Sequence, residues 1–156
     1  MKLLIQRVKR ASVTVEDEIV SQIGPGLLLF LGVGREDDGS EISWLVQKLL
    51  GLRIFEDEAG KMNLSLQDRQ AELLLVPQFT LYGDCQRGRR PGFSAAAAPA
   101  QAQKYFQEFA QAITASYRPA QLGVFGADMQ VELINDGPVT FMIERSEAQT
   151  LEKTRE

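Results

Sequence analysis

The sequence predicts a β-rich α+β domain, an antiparallel or mixed barrel-like sheet carrying two main helices, and a chain that dimerises. Three observations point there. Apolar residues alternate at period two through most of the first third of the chain and again near residue 140, which is the signature of half-buried strands. Two stretches, near residues 41–50 and 99–117, instead repeat their apolar residues at helical spacing. The order, strands first and helices inserted later, is that of α+β proteins and not of a regular βαβ alternation.

The elements follow in order. Leu3 and Ile5, then Val13 and Val15, then Ile19 with Val20, and the dense run 27–31 read as three or four strands, with Gly24, Pro25 and Gly26 as a turn. Asp38 and Glu41 have the spacing of a capping box, and Ile42, Leu45, Val46 and Leu49 fall on one helical face before Gly51 ends it. Residues 53–55 read as a short strand, 57–60 as a turn and the polar stretch 63–70 as loop. Residues 73–76 are a buried strand that Pro77 ends or places at an edge. A loop rich in Arg and Gly, 83–92, leads to the second helix, in which Ala102, Phe106, Phe109, Ile113 and Tyr117 share a face. Two further strands, 129–134 and 139–144, flank Asn135, Asp136, Gly137 and Pro138, which read as a hairpin turn. This gives about seven or more strands and exposed sheet edges that invite a partner. Residues 1–145 form a single domain; the charged stretch 146–156 lacks an apolar stripe and is expected to be a flexible tail.

Composition limits the chemistry. Apolar residues make up 44% and charged residues 24% of the 156, ordinary values for a globular domain. The apolar run 26–33 is too short to span a bilayer and no basic-then-apolar leader opens the chain, so a soluble cytoplasmic protein is expected. The single cysteine, Cys85, excludes an internal disulfide, and without an activating base a nucleophilic role for it is disfavoured. Histidine is absent, so no Ser-His-Asp triad, Cys-His dyad or histidine-ligated zinc can be built from this chain. Neither a metal nor another cofactor is expected. A net charge of −4 gives the surface as a whole no attraction for nucleic acid, which leaves local basic patches.

Three segments could carry function. In VPQFTLYGD a strand stops at Pro77 and runs through Gln78, Phe79 and Thr80 into a turn; N–H groups freed there could stabilise an oxyanion, although ordinary core and loop residues would look the same. In QRGRRPGFS, Arg87, Arg89 and Arg90 share a Gly-containing loop, either a solvated surface or a phosphate contact. The third is the Gly137-Pro138 dipeptide, which a simple turn would also explain.

Taken together, LIQRVKRASVTVE, GLRIFEDEAGKMNLSL, PQFTL, RGRRPGFS and FGADMQVELINDGPVTF, in this order and spacing, resemble the D-aminoacyl-tRNA deacylase family over nearly all of residues 1–144. The resemblance implies a cytoplasmic homodimer of barrel-like subunits that hydrolyses the ester of D-aminoacyl-tRNA, and of mischarged glycyl-tRNA(Ala), releasing the amino acid and tRNA. It implies that Gln78, Phe79 and Thr80 form the catalytic segment, working through the backbone and the adenosine 2′-hydroxyl. It also implies a cis Gly137-Pro138 peptide that reaches the neighbouring subunit's site and rejects L-amino acids, Arg7 bracing its carbonyls, Met129 lining the pocket, and Arg87, Arg89 and Arg90 contacting tRNA. Where the family usually has Ser, this chain has Pro77. If that Ser supplied the nucleophile, the protein would be a catalytically weakened binder of the tRNA 3′ end. A small-molecule esterase using Thr80 is a further alternative.

Overall fold

One strand organises the molecule. In the computed structural model, which describes residues 1–146, β1 (Lys2–Val15) pairs antiparallel with three others. Its first half lies beside β3 (Gly26–Gly32), its second half beside β2 (Glu18–Ile23), and nearly its whole length beside β8 (Gln130–Glu144). β3 then pairs in parallel with β6 (Glu72–Pro77), and β6 with the short β7 (Gln121–Leu122), so the sheet is mixed, curled and nearly closed. A separate hairpin joins β4 (Phe55–Glu56) and β5 (Met62–Leu64). The helices are α1 (Glu41–Gly51), a single turn α2 (Leu66–Arg69) and α3 (Pro99–Ser116). Among the described residues no helix is long and apolar enough to cross a membrane.

Period two divides the core into two layers. Leu27, Leu29, Leu31, Leu73 and Leu75 pack with Leu45 and Leu49 of α1 and Phe106, Phe109 and Ile113 of α3. Their neighbours Leu28, Leu74 and Val76 point to the other face and meet Val8, Ala11 and Val13 inside the curl. β1 switches layers midway: Leu3 and Ile5 belong to the helix side, Ala11 and Val13 to the interior. A register shift between Val8 and Arg10 explains the change, because one added residue reverses every side chain beyond it.

Several expectations need correction. Residues 133–144 are not a hairpin: they belong to one strand, β8, and residues 136–139 are a bulge within it. The long β1 supplies partners on both sides of that segment, so the chain continues forward where a turn would reverse it. The stretch 63–70 is not all loop. Met62–Leu64 pairs with β4, and α2 carries the capping box, Ser65 Oγ accepting from the Asp68 N–H at 3.2 Å while Asp68 accepts from the Ser65 N–H at 2.7 Å. The Ser65 N–H, and then the Ser65 hydroxyl at 2.8 Å, donate to the Asp68 carboxylate and hold it below its ordinary range. At α1 the expected Asp38–Glu41 box is missing; Ser40 is the N-cap, Asp38 accepts from its N–H at 2.9 Å, and Glu41 accepts from Gly39 at 3.1 Å. The expected strand at 53–55 pairs only from Phe55 onward. Most of the expected tail, 147–156, lies outside the described residues.

Candidate active site

The parallel pairing of β3 and β6 ends at Leu31 opposite Pro77, and the Gln78 N–H still donates to the Leu31 carbonyl at 2.8 Å. Past that point the chain tightens into a 3₁₀ turn, Phe79–Tyr82. The first N–H groups of such a turn, those of Phe79 and Thr80, have no acceptor within it. Pro77 therefore costs the sheet little: it sits at the end of β6, beyond the last residue paired with β7.

This turn edges a cleft of about 590 Å³. Leu31 and Val76 lie at its sheet side; Ala96, Ala97 and Ala102 with Phe106 form one wall, and Phe125 with Met129 the other. Phe79 and Phe93 stand at its edge, ring centroids 5.1 Å apart and nearly edge-on, both substantially exposed. The structure thus brings Gln78, Phe79 and Met129 together around one cavity. Thr80 adjoins them, its hydroxyl accepting from the Gln78 side-chain amide. Met129 is fixed through its sulfur, which accepts from the Val124 N–H at 3.3 Å.

The turn is anchored from behind. Tyr82 packs against Gly34, where an added Cβ would meet its hydroxyl at 2.8 Å, and its ring carries the Lys2 ammonium 4.7 Å from the centroid. Its hydroxyl reaches Asp37 at 3.5 Å; burial first, and then the Asp37 charge, push its ionisation far upward, so it stays a neutral phenol. Asp37 also accepts from the Gly34 N–H at 2.6 Å and pairs with the Met1 ammonium at 2.7 Å. Nearby, burial and then the Asp37 charge raise the carboxyl of Glu41, whose Oε1 has no hydrogen-bond partner among the described residues.

Arg87, Arg89 and Arg90 are exposed on a loop tied at its base by paired bonds between Asp84 and Gly92, at 2.7 and 2.9 Å. The loop leaves from the 3₁₀ turn and returns at Phe93, so it borders the cleft mouth.

The remaining expected site residues lie elsewhere in the same protomer. The Gly137-Pro138 peptide is cis, and Gly137 and Pro138 are both exposed. They sit opposite Arg7, which pairs with Leu27, a rise of roughly 13 Å along β3 from Leu31 of the cleft, and neither of them lines the cleft. Arg7 is buried, and it braces the bulge one residue earlier than expected. Its Nε donates to the Asp136 carbonyl at 2.9 Å and Nη1 to the Ile54 carbonyl at 2.8 Å. The Glu56 and Asp136 carboxylates lie 3.5 and 3.6 Å from the guanidinium. Sequence reasoning missed the cleft walls. Phe93, Phe125 and the alanines at 95–98 carry no distinguishing pattern.

The fold and cleft define a class: a curled, barrel-like α+β domain whose cavity is edged by a main-chain turn and, among the described residues, is lined by no charged side chain and no histidine. Over residues 4–144 the chain matches the D-Tyr-tRNA(Tyr) deacylase family. It is 51% identical over 144 residues to a D-aminoacyl-tRNA deacylase of Desulfitobacterium hafniense, covering 92% of this chain and 97% of that protein. It is 52% identical to one of Pelobacter propionicus, with 93% and 100% covered. A solved structure of a c-Myc DNA unwinding element binding protein superposes with a TM-score of 0.89 at 44% identity, covering 94% of this chain and 99% of the other. A probable eukaryotic D-amino acid tRNA deacylase shares the fold at a TM-score of 0.78 and 18% identity, covering 91% and 97%. The chain belongs to the D-Tyr-tRNA(Tyr) deacylase family and is a hydrolase of that kind.

Proposed function

We propose that this protein hydrolyses the ester of D-aminoacyl-tRNA, and of glycyl-tRNA(Ala), as a cytoplasmic homodimer in which each subunit's Gly137-Pro138 completes its partner's cleft. The observation carrying this reading is that an exposed Gly-Pro projection and an apolar cleft edged by the 78–80 turn occur on the same protomer but apart. A second subunit would bring the two features together.

In this reading the terminal adenosine enters the cleft and its ester carbonyl points at the N–H groups of Phe79 and Thr80. Water adds to the carbonyl carbon, the resulting oxyanion accepts from those N–H groups, and the tetrahedral adduct collapses with the ribose oxygen leaving. The neighbouring 2′-hydroxyl of the substrate relays the proton that a histidine would otherwise carry. One aligned donor of this kind contributes roughly 2.7–4 kcal/mol to lowering the barrier. Gln78, paired with Thr80, orients the adenosine or amino acid, and Met129 packs against it. Carbonyls of Gly137 and Pro138 face the substrate's α-carbon, so hydrogen is accepted where an L side chain would collide. The arginines of the 83–92 loop contact the phosphates of the tRNA 3′ end.

Incubation with D-tyrosyl-tRNA and L-tyrosyl-tRNA tests the reading: the D ester should be lost and the L ester retained, and equal loss of both would overturn it. Tight binding of the D ester without turnover would favour the alternative in which Pro77 has turned the site into a binder. The location of Pro77 upstream of the donor groups argues against that alternative. Thr80 is a poor candidate for an independent nucleophile, because its hydroxyl is engaged by Gln78 and no histidine exists to deprotonate it.

A further inference from the structure

Between Gln6 and Val8, β1 places the single residue Arg7 where β8 places the four residues 136–139. The surplus leaves the sheet as a projection, with Gly137 and Pro138 exposed and Val139 buried behind them. The ladder does not pair residues 136–139, so another group must hold the base of the projection together. The side chain of Asn135 does this. Its Oδ1 accepts from the Val139 N–H at 2.6 Å, and its Nδ2 donates to the Val139 carbonyl at 3.3 Å and to Thr140 Oγ1 at 3.0 Å. Thr140 Oγ1 also accepts from Gln6 Nε2 at 3.3 Å, which ties the clamp back to β1.

Asn135 thus offers Val139 both a donor and an acceptor, as the peptide of a neighbouring strand would. Aspartate keeps the acceptor only, alanine keeps neither, and glutamine carries the amide one methylene too far. Arg7 secures the other side through the Asp136 carbonyl, so Gly137 and Pro138 are held between two side-chain clamps.

Resting on the reading that the Gly137 and Pro138 carbonyls judge the α-carbon, we infer that Asn135 is a positioning residue for chiral discrimination: it sets the projection's height and direction without touching substrate. A loosened base lets the carbonyls retreat from an L side chain. The signature is therefore a rise in L turnover, whereas general damage to the fold would depress both substrates together.

The test compares kcat/KM for D-tyrosyl-tRNA and L-tyrosyl-tRNA in Asn135→Ala, Asn135→Asp and Gly137→Ala, each checked for cooperative unfolding. Losing hydrogen bonds of this kind should lower the D-to-L ratio of Asn135→Ala by roughly tenfold through faster L hydrolysis. Asn135→Asp, which keeps the acceptor for Val139, should recover part of the ratio. An unchanged ratio in Asn135→Ala overturns the inference. Gly137→Ala separates the two levels of the argument, since its Cβ would lie 2.6 Å from Val139 Cγ2 at a φ of +145° and must disturb the projection itself. If it lowers the ratio while Asn135→Ala does not, only the role of Asn135 fails; if neither moves it, the underlying reading fails as well. Should Asn135→Ala not fold, Thr140→Val removes one acceptor of the clamp, and a wild-type ratio there overturns the inference equally.

Discussion

Arg7→Lys should destabilise the protein although the charge is kept. Arg7 is 4% exposed and its planar fork serves two carbonyls at once, Nε reaching Asp136 and Nη1 reaching Ile54. A lysine has one ammonium on a flexible stem and cannot occupy both donor positions. At least one charge-assisted bond is lost, a cost of about 1.5–3 kcal/mol. The carboxylates add little to this difference, because the Glu56 and Asp136 side chains are 58% and 42% exposed and solvent screens them. For a domain of this size each kcal/mol moves Tm by about 2–4 °C, so a fall of roughly 3–12 °C is expected. Urea unfolding should show a lower midpoint with an unchanged slope, which marks a loss of stability and not a change in the surface exposed. An unfolding free energy within about 0.5 kcal/mol of wild type would refute the reasoning and show that the fork is not what holds the bulge.

Glu41→Gln should alter the pH dependence of stability. Burial raises the Glu41 carboxyl in the folded state, so the native protein holds that proton more tightly than the unfolded chain, and the associated stability is present below the ordinary carboxylate range and lost as pH rises through the raised value. Glutamine keeps an acceptor for Gly39 and removes the titration, so the variant should gain on wild type as pH rises from the ordinary carboxylate range through the raised value; parallel unfolding curves would contradict this. Gly26→Ala should loosen the parallel pairing of β3 and β6, because its Cβ would fall 2.0 Å from the Glu72 carbonyl oxygen; a cost of about 1–3 kcal/mol is expected in denaturation. Replacing Arg87, Arg89 and Arg90 by Gln should raise KM for aminoacyl-tRNA and flatten its dependence on log salt by about 0.7 per lost phosphate contact, whereas an unchanged slope would remove the loop from the RNA interface.

The legible part of the fold was the part with long-range periodicity. The run from Leu27 to Leu31 and the stripe Phe106, Phe109 and Ile113 announced their elements because each packs against a continuous partner. The bulge at 136–139 was misread because turn-forming residues serve a reversal and a protrusion equally well. The distinction lies in β1, far away in sequence, which pairs on both sides of it. Short elements such as α2 and the 3₁₀ turn carry too few residues to show a period. Gln78, Phe79 and Met129 line one cavity, and the alanine wall and Phe125 that complete it had no local signal. Their role comes from long-range packing that sets Ala96, Ala97, Ala102 and Phe125 around the same cavity as the end of β6.

The paired bonds between Asp84 and Gly92 have a consequence for divergence. They pinch off the arginine-bearing segment so that its length and charge can drift without pulling on Phe79 or Phe93. Changes confined to this appendage leave the aromatic edge of the cleft in place, whereas one residue inserted in β1 would reverse every side chain beyond it.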